Sequence, residues 1–342
     1  MRGTKEFMIR NQWYAVLDSK EVKPGKPLGA TRMGEKFVFW RTEGGEVACL
    51  RDKCAHRGVQ LSYGEVKHDS IMCPFHGFRY DSSGRGVRIP ANGKNAPVPP
   101  NFKVPYYPAR EAHGFIWIYW GSVPSTPSSP SSSDFSKLPP LRWFDNLGDE
   151  EGFFYSTKPD PWNAHYSRVI ENQLDVVHVP FVHYNTIGKG WRTLVHGPLA
   201  ELTNDEIRIW MHNVSDDGQT RPMKPEELDK SISPVYLYFI FPNIWQNVIS
   251  KDLRVMIAFS PVDDEHTMAY VRFYQRFMKF PGIRHLIHYF GDRYNLKVAH
   301  QDRRVVETQV PKPSGLKIGE NLVQGDNPVV LYRRRREELQ KK

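Results

Sequence analysis

The 342-residue chain predicts an α+β protein in two domains, an all-β N-terminal domain followed by an antiparallel sheet with helices. Three observations carry that prediction. From Asn11 to about Gly121, short runs of β-branched and aromatic residues alternate with Gly, Pro and Asp, as in a domain of short strands. Ser122 to Ser133 is a Ser/Pro-rich stretch, too poor in apolar residues to pack and too rich in proline for a helix. Beyond it, runs with a two-residue period alternate with segments of helical period.

In the first domain, the runs Trp13 to Leu17, Lys36 to Trp40, Val47 to Leu50 and Gly114 to Trp120 read as strands. Between them lie Cys54-Ala55-His56-Arg57-Gly58 and Cys73-Pro74-Phe75-His76-Gly77-Phe78-Arg79-Tyr80-Asp81, one thiolate and one imidazole on each of two loops. Two histidines can replace two cysteines on one iron of a [2Fe–2S] cluster, which raises its potential. A single zinc is the competing occupant, although zinc pairs usually come as Cys with Cys and His with His. Gly58 and Gly77 suit turns that aim backbone N–H groups at sulfur, and Pro74 stiffens the second loop. Cys49, in an apolar run, reads as a buried inert thiol.

In the second domain, Trp191 to Leu199, Glu206 to Asn213, Val235 to Ile240, Val255 to Pro261 and Met268 to Phe277 read as strands. Helical periodicity spans His165 to about His178 and Pro281 to about Gln309, the latter with Ile283, Leu286, Ile287 and Phe290 on one stripe. On the first helix, Asp175 and His178 stand three apart and share a face. Pro180 predicts an end or bend that swings His183 towards His178. Two imidazoles and one distant carboxylate form the triad that leaves positions open on ferrous iron; the competing reading of each histidine is a packed core residue. The carboxylate must come from elsewhere in the chain.

The two Cys/His loops resemble the Rieske signature, with Phe78 where many family members carry Trp. Glu171-Asn172-x-x-Asp175-x-x-His178-x-x-x-x-His183 is similar to the iron motif of Rieske non-haem iron oxygenases. His300-Gln301-Asp302-Arg303-Arg304-Val305-Val306-Glu307 resembles the segment in which that family carries the carboxylate, which implies Asp302, with Glu307 the alternative and an Asp302–Arg ion pair the purely structural outcome. The resemblance implies an 8–121 Rieske [2Fe–2S] domain, a 122–140 linker and a 141–342 mononuclear iron catalytic domain. It implies that Cys54, His56, Cys73 and His76 bind the cluster, and that His178, His183 and Asp302 bind one Fe(II). It also implies that Asp175 bridges His178 to His76 of the partner subunit in a homotrimer, with Asn172 beside the iron. The implied activity is that of a terminal oxygenase component, oxidising an apolar or aromatic organic substrate with O₂. Monohydroxylation or oxidative demethylation is favoured over cis-dihydroxylation. Apolar letters in Tyr236 to Trp245 wall a pocket or belong to the core. No Gly-x-Gly-x-x-Gly fingerprint is present, so electrons come from an NAD(P)H-dependent reductase, directly or through a ferredoxin. The rival functions are a Rieske electron carrier with a non-catalytic docking domain, and a zinc-stabilised binding module.

Composition sets outer bounds. The chain is 39% hydrophobic, 13% aromatic and 25% charged, as in a globular protein. No apolar run reaches the roughly 20 residues of a membrane-spanning helix. Met1 to Phe7 lacks the features of a secretion signal, so Met8 is the expected native start and the cytoplasm the expected compartment. The net charge of +9 is concentrated in Arg333 to Arg336, Lys341 and Lys342, which read as a solvated tail rather than a nucleic-acid surface. Basic residues near the cluster would instead steer an acidic electron donor.

Overall fold

The computed structural model describes residues 8–122, 135, 137–231 and 236–341. Most of the expected Ser/Pro linker, 123–134, therefore lies outside the described residues, as does Val235. The chain divides into two compact units, 1–141 and 142–342.

The first unit is built from three antiparallel sheets. β1 (Gln12–Asp18) pairs with β10 (Phe115–Trp120), which pairs with β9 (Ala109–Ala112). β2 (Leu28–Arg32), β3 (Glu35–Arg41) and β4 (Val47–Arg51) form the second sheet. β5 (Glu65–Lys67), β6 (Ser70–Met72), β7 (Arg79–Asp81) and β8 (Gly86–Arg88) form the third. One Cys/His loop follows β4 and the other joins β6 to β7. Beneath them Val38, Trp40, Leu50, Leu61, Ile71 and Tyr80 form one apolar core with the two cysteines. Cys49 is buried and unbridged, and burial pushes its thiol well up, as expected of an inert core residue.

The second unit is a seven-stranded antiparallel sheet with helices. Its strands are β11 (Phe154–Trp162), β12 (Leu194–Thr203), β13 (Glu206–Val214), β14 (Leu237–Ile240), β15 (Ile244–Ser250), β16 (Leu253–Pro261) and β17 (Thr267–Gln275), in spatial order β11-β17-β16-β15-β14-β13-β12. The helices are α1 (Tyr166–Leu174), α2 (Val179–Val182), α3 (Pro281–Val306) and α4 (Asn327–Gln340). Almost all of α1 is buried, and it packs against β16, α3 and α4.

Four sequence expectations need correction. The helix expected to run to His178 stops at Leu174, and Asp175 is extended (φ −72°, ψ 128°). Its carboxylate accepts from the Val177 N–H at 2.7 Å, a local bond that competes with helix continuation. Asp175 and His178 therefore meet across a turn, not along a helix face. Pro180 does not end an element. It stands in the first turn of α2, where a missing N–H costs nothing.

Arg333 and Arg336 do not belong to a solvated tail. They are 2% and 4% exposed on α4. Arg333 donates to both carboxylate oxygens of Glu171 at 2.8 Å and to Glu320 at 2.6 Å, and Arg168 reaches Glu320 at 2.7 Å. This buried network clamps the iron-motif helix α1 to α4. Finally, Ile283, Leu286 and Phe290 are exposed on α3, whose buried stripe is His288, Asp292, Ala299, Asp302 and Val306.

Candidate metal centres

The two cluster loops share one backbone plan. Cys54 N–H donates to Val59 O (2.8 Å) and Gly58 N–H to Cys54 O (3.0 Å); Cys73 N–H donates to Phe78 O (2.7 Å) and Gly77 N–H to Cys73 O (3.1 Å). Both turns close through a glycine at positive φ, 77° for Gly58 and 69° for Gly77. Each cysteine is buried, while His56 and His76 are exposed with ring centroids 4.8 Å apart. Burial pushes the Cys73 thiol up, against the pull of the Phe75 and His76 N–H groups on its sulfur. The Tyr80 hydroxyl accepts from Ala55 N–H and lies 3.2 Å from Cys54 Sγ, so its own proton is free to point at sulfur. Phe78, the departure from the usual Trp, stacks on His56 at 4.7 Å.

Among the described residues, the one group of three or more ligand atoms within 4.8 Å of one another is His178, His183 and Asp302. The two Cys/His loops each offer one thiolate and one imidazole, a donor set that suits a cluster with a thiolate pair on one iron and an imidazole pair on the other.

The second site is assembled from the two ends of α2 and from α3. His178 caps the start of α2, His183 follows its end, and Asp302 comes from α3. Asp302 Oδ1 lies 2.9 Å from His183 Nε2 and 3.3 Å from His178 Nε2. Yet Asp302 Oδ1 has no partner in hydrogen-bond geometry. The atoms converge on a point rather than bonding to each other, which suits a cation between them. Burial alone would lower the basicity of His178, but Asp175 and Asp302 push it up to about 10. Burial likewise raises Asp302, and the two imidazoles more than offset it, leaving the carboxyl far below its ordinary range. The site is thus electrostatically prepared for positive charge.

Asp175 Oδ2 stands 3.5 Å from His178 Nδ1, which is otherwise without a hydrogen bond. Glu307 is not a ligand; its carboxylate accepts from Asn163 N–H at 2.8 Å. Among the described residues no Arg pairs with Asp302, whose second oxygen accepts from Gln173 Nε2 at 3.3 Å. Asn172 lines the same cavity as Asp175 and His178, with its Nδ2 buried and unpartnered.

Sequence reasoning missed the groups that hold His183. Gln301 Oε1 faces His183 Nδ1 at 3.0 Å and accepts from Thr186 Oγ1 at 2.6 Å, while Gln301 Nε2 donates to Asn185 Oδ1 at 2.6 Å. Since a carboxamide oxygen only accepts, Nδ1 carries the proton and Nε2 is left for a metal. The sole sequence signal was that Gln301 precedes Asp302. The cavity at this site has a volume of about 440 Å³ and is walled by the inner face of the sheet, with Val255, Ile257, Val271 and Phe273, and by α3. At Gly291 an added Cβ would lie 2.7 Å from the Phe273 ring, so this glycine sets the close approach of helix to sheet.

Two family models match the chain, the Rieske [2Fe-2S] domain over 12–108 and the vanillate O-demethylase oxygenase C-terminal domain over 162–342, more than half of the sequence. The chain belongs to the Rieske non-haem iron oxygenases. Members of this family carry a Rieske [2Fe–2S] cluster and a mononuclear iron. Chlorophyllide a oxygenase of Chlamydomonas reinhardtii is 32% identical over 54% of this chain and 26% of its own length. Methylxanthine N1-demethylase NdmA of Pseudomonas putida is 30% identical over 52% of this chain and 48% of its own. The chain spans about half or less of the length of these curated relatives. The solved structure of an NdmA mutant with caffeine superposes with a TM-score of 0.77 at 23% identity, covering 99% of this chain and 92% of that one. That likeness establishes a shared fold. No helix among the described residues is long and apolar enough to cross a membrane.

Proposed function

We propose that this chain is a terminal oxygenase that uses O₂ and externally supplied electrons to oxidise an apolar or aromatic organic molecule by monohydroxylation or oxidative demethylation. The observation that carries the reading is the convergence of His178, His183 and Asp302 in the lining of a largely apolar cavity of about 440 Å³. An iron bound there would supply O₂ chemistry, and a cluster on the exposed loops would supply single electrons.

The chain's own residues have distinct tasks in this account. Cys54 and Cys73 would hold one iron of the cluster, and His56 and His76 the other. Gln301 keeps His183 in the tautomer that presents Nε2. Asp175, with Oδ1 fixed by the Val177 N–H, keeps Oδ2 near His178 Nδ1. That oxygen would accept from His178 and from His76 of the partner subunit, giving electrons a short bonded route in a homotrimer. Asn172 borders Asp175 at the cavity edge. The apolar sheet face orients the substrate and excludes water. An NAD(P)H-dependent reductase, directly or through a ferredoxin, would be the electron source, and the cytoplasm the compartment.

His178→Ala tests this reading. The variant should keep the visible spectrum of the cluster and lose substrate oxidation coupled to O₂ consumption. Retained oxidation would overturn the assignment.

A further inference from the structure

Helix α3 carries two stripes. Its buried stripe begins with His288 and Asp292 and runs to the metal-site carboxylate Asp302. Ile283, Leu286 and Phe290 recur at three and four residues, so they share another face. At about 100° per residue these three stand roughly 140–200° from His288, on the side away from the buried stripe. Phe280, Leu286 and Phe290 are 72%, 56% and 61% exposed, and Phe277 and Tyr289, also exposed, adjoin them in the chain. Single exposed apolar side chains are ordinary, but a run of them on one face marks a surface that meets something other than water.

The charges around this stripe have one sign. From Phe277 to Lys297 the sole carboxylate is Asp292. It is buried on the other face, where it accepts from Ser156 Oγ at 2.6 Å and lies 3.8 Å from Lys158 Nζ. Arg284 turns to the sheet, its guanidinium carbon 4.1 Å from the centroid of the Phe154 ring. Lys279 precedes the stripe, while Arg293 and Lys297 continue it one and two turns past Phe290. All three are exposed, and none pairs with a carboxylate among the described residues. A second copy seated on this face through a two-fold axis would therefore set cations against cations. An anionic phospholipid surface suits both features, taking the apolar side chains into the acyl boundary and the cations at its phosphates. Tyr294, half exposed beside the stripe, also lines the cavity, so the patch and the cavity share a side chain.

We propose that the face formed by Phe280, Ile283, Leu286 and Phe290, with Lys279, Arg293 and Lys297 at its ends, is a contact surface for anionic phospholipid. The chain lies on the bilayer through it; among the described residues no helix is long and apolar enough to cross one. This contact goes beyond the oxidation chemistry and stands without it. Taken with the cavity as the substrate site, it makes molecules dissolved in lipid the class delivered to the metal centre.

Co-sedimentation of the intact, metal-loaded chain with vesicles tests it, using phosphatidylcholine alone and phosphatidylcholine mixed with phosphatidylglycerol. The wild-type chain should bind the anionic vesicles about ten-fold or more tightly than the neutral ones, and high salt should remove that preference. Leu286→Ser combined with Phe290→Ser should weaken binding to both vesicle types about ten-fold or more. Lys279→Glu combined with Lys297→Glu should erase the preference for anionic vesicles. Circular dichroism and the cluster spectrum check folding, and wild-type binding keeps the test decisive if a variant does not fold. Absence of wild-type binding to anionic vesicles, or binding unchanged in the folded variants, overturns the proposal. A serine variant that alters subunit number in sedimentation velocity, while the wild-type chain ignores vesicles, would make this face a contact between copies and overturn it too. None of these readouts uses turnover, so failure of the oxygenase reading would leave the contact standing.

Discussion

The cluster loops and the His178/His183/Asp302 site reach metal-binding geometry by opposite routes. The loops are local: two short turns, each closed by its own backbone bonds and its own glycine, with only the β5–β6 hairpin between them in the chain. The other site brings a turn after α1 and a short helix together with a carboxylate from far along the chain. Their exposure differs too. His56 and His76 are open to solvent, whereas His183 and Asp302 are 1% and 3% exposed. An electron port must be reachable by a donor, and oxygen chemistry must be kept from water. The difference teaches that the first site should survive damage to the second unit's core, while the second depends on tertiary packing well away from the metal.

The harshest test of that contrast is Arg333→Ala. It leaves Glu171 buried without its main partner and should cost about 3–5 kcal/mol, read as a loss of denaturation free energy in the second unit. The cluster absorption should persist at denaturant concentrations where the mononuclear iron is already lost. Simultaneous loss of both would erase the distinction. A finer test is Gln301→Leu, which should weaken mononuclear iron binding about 10–100-fold with no change in the cluster, as measured by competition with a chelator. Unchanged affinity would mean that the Gln301 contact does not orient His183. The smallest expected effect is on the other side of the comparison. Tyr80→Phe removes a hydroxyl that can donate to Cys54 Sγ, so the cluster's reduction potential should fall in a redox titration while iron content stays constant. A rise, or no change, would contradict the direction of that hydrogen bond.

This contrast also explains what was legible in the sequence. The cluster loops could be read residue by residue because their geometry is closed within a few positions. The structure brings His178, His183 and Asp302 together, but the helix proposed to align Asp175 with His178 was wrong, since a side-chain bond to Val177 ends it first. β11 went unseen because Pro159 and Pro161 argue against a strand, yet both are tolerated on the sheet's edge. β15 went unseen because only Ile244 and Trp245 of it fall in the aromatic-rich run from Tyr236, and the adjacent polar Gln246 and Asn247 break the two-residue alternation. α4 was read as a solvated tail because Arg333 finds its counter-charge in Glu171, a partner that only the fold supplies. Gln301 was invisible for a similar reason: its partner His183 is brought to it by packing.

The most direct test of the two-centre account is quantitative iron, zinc and acid-labile sulfide analysis of the purified chain, read with its low-temperature EPR spectra. The account predicts three irons and two sulfides per chain, with a Rieske-type signal on reduction and a separate ferrous site that Asp302→Ala removes. Two irons with two sulfides, or zinc without sulfide, would contradict it.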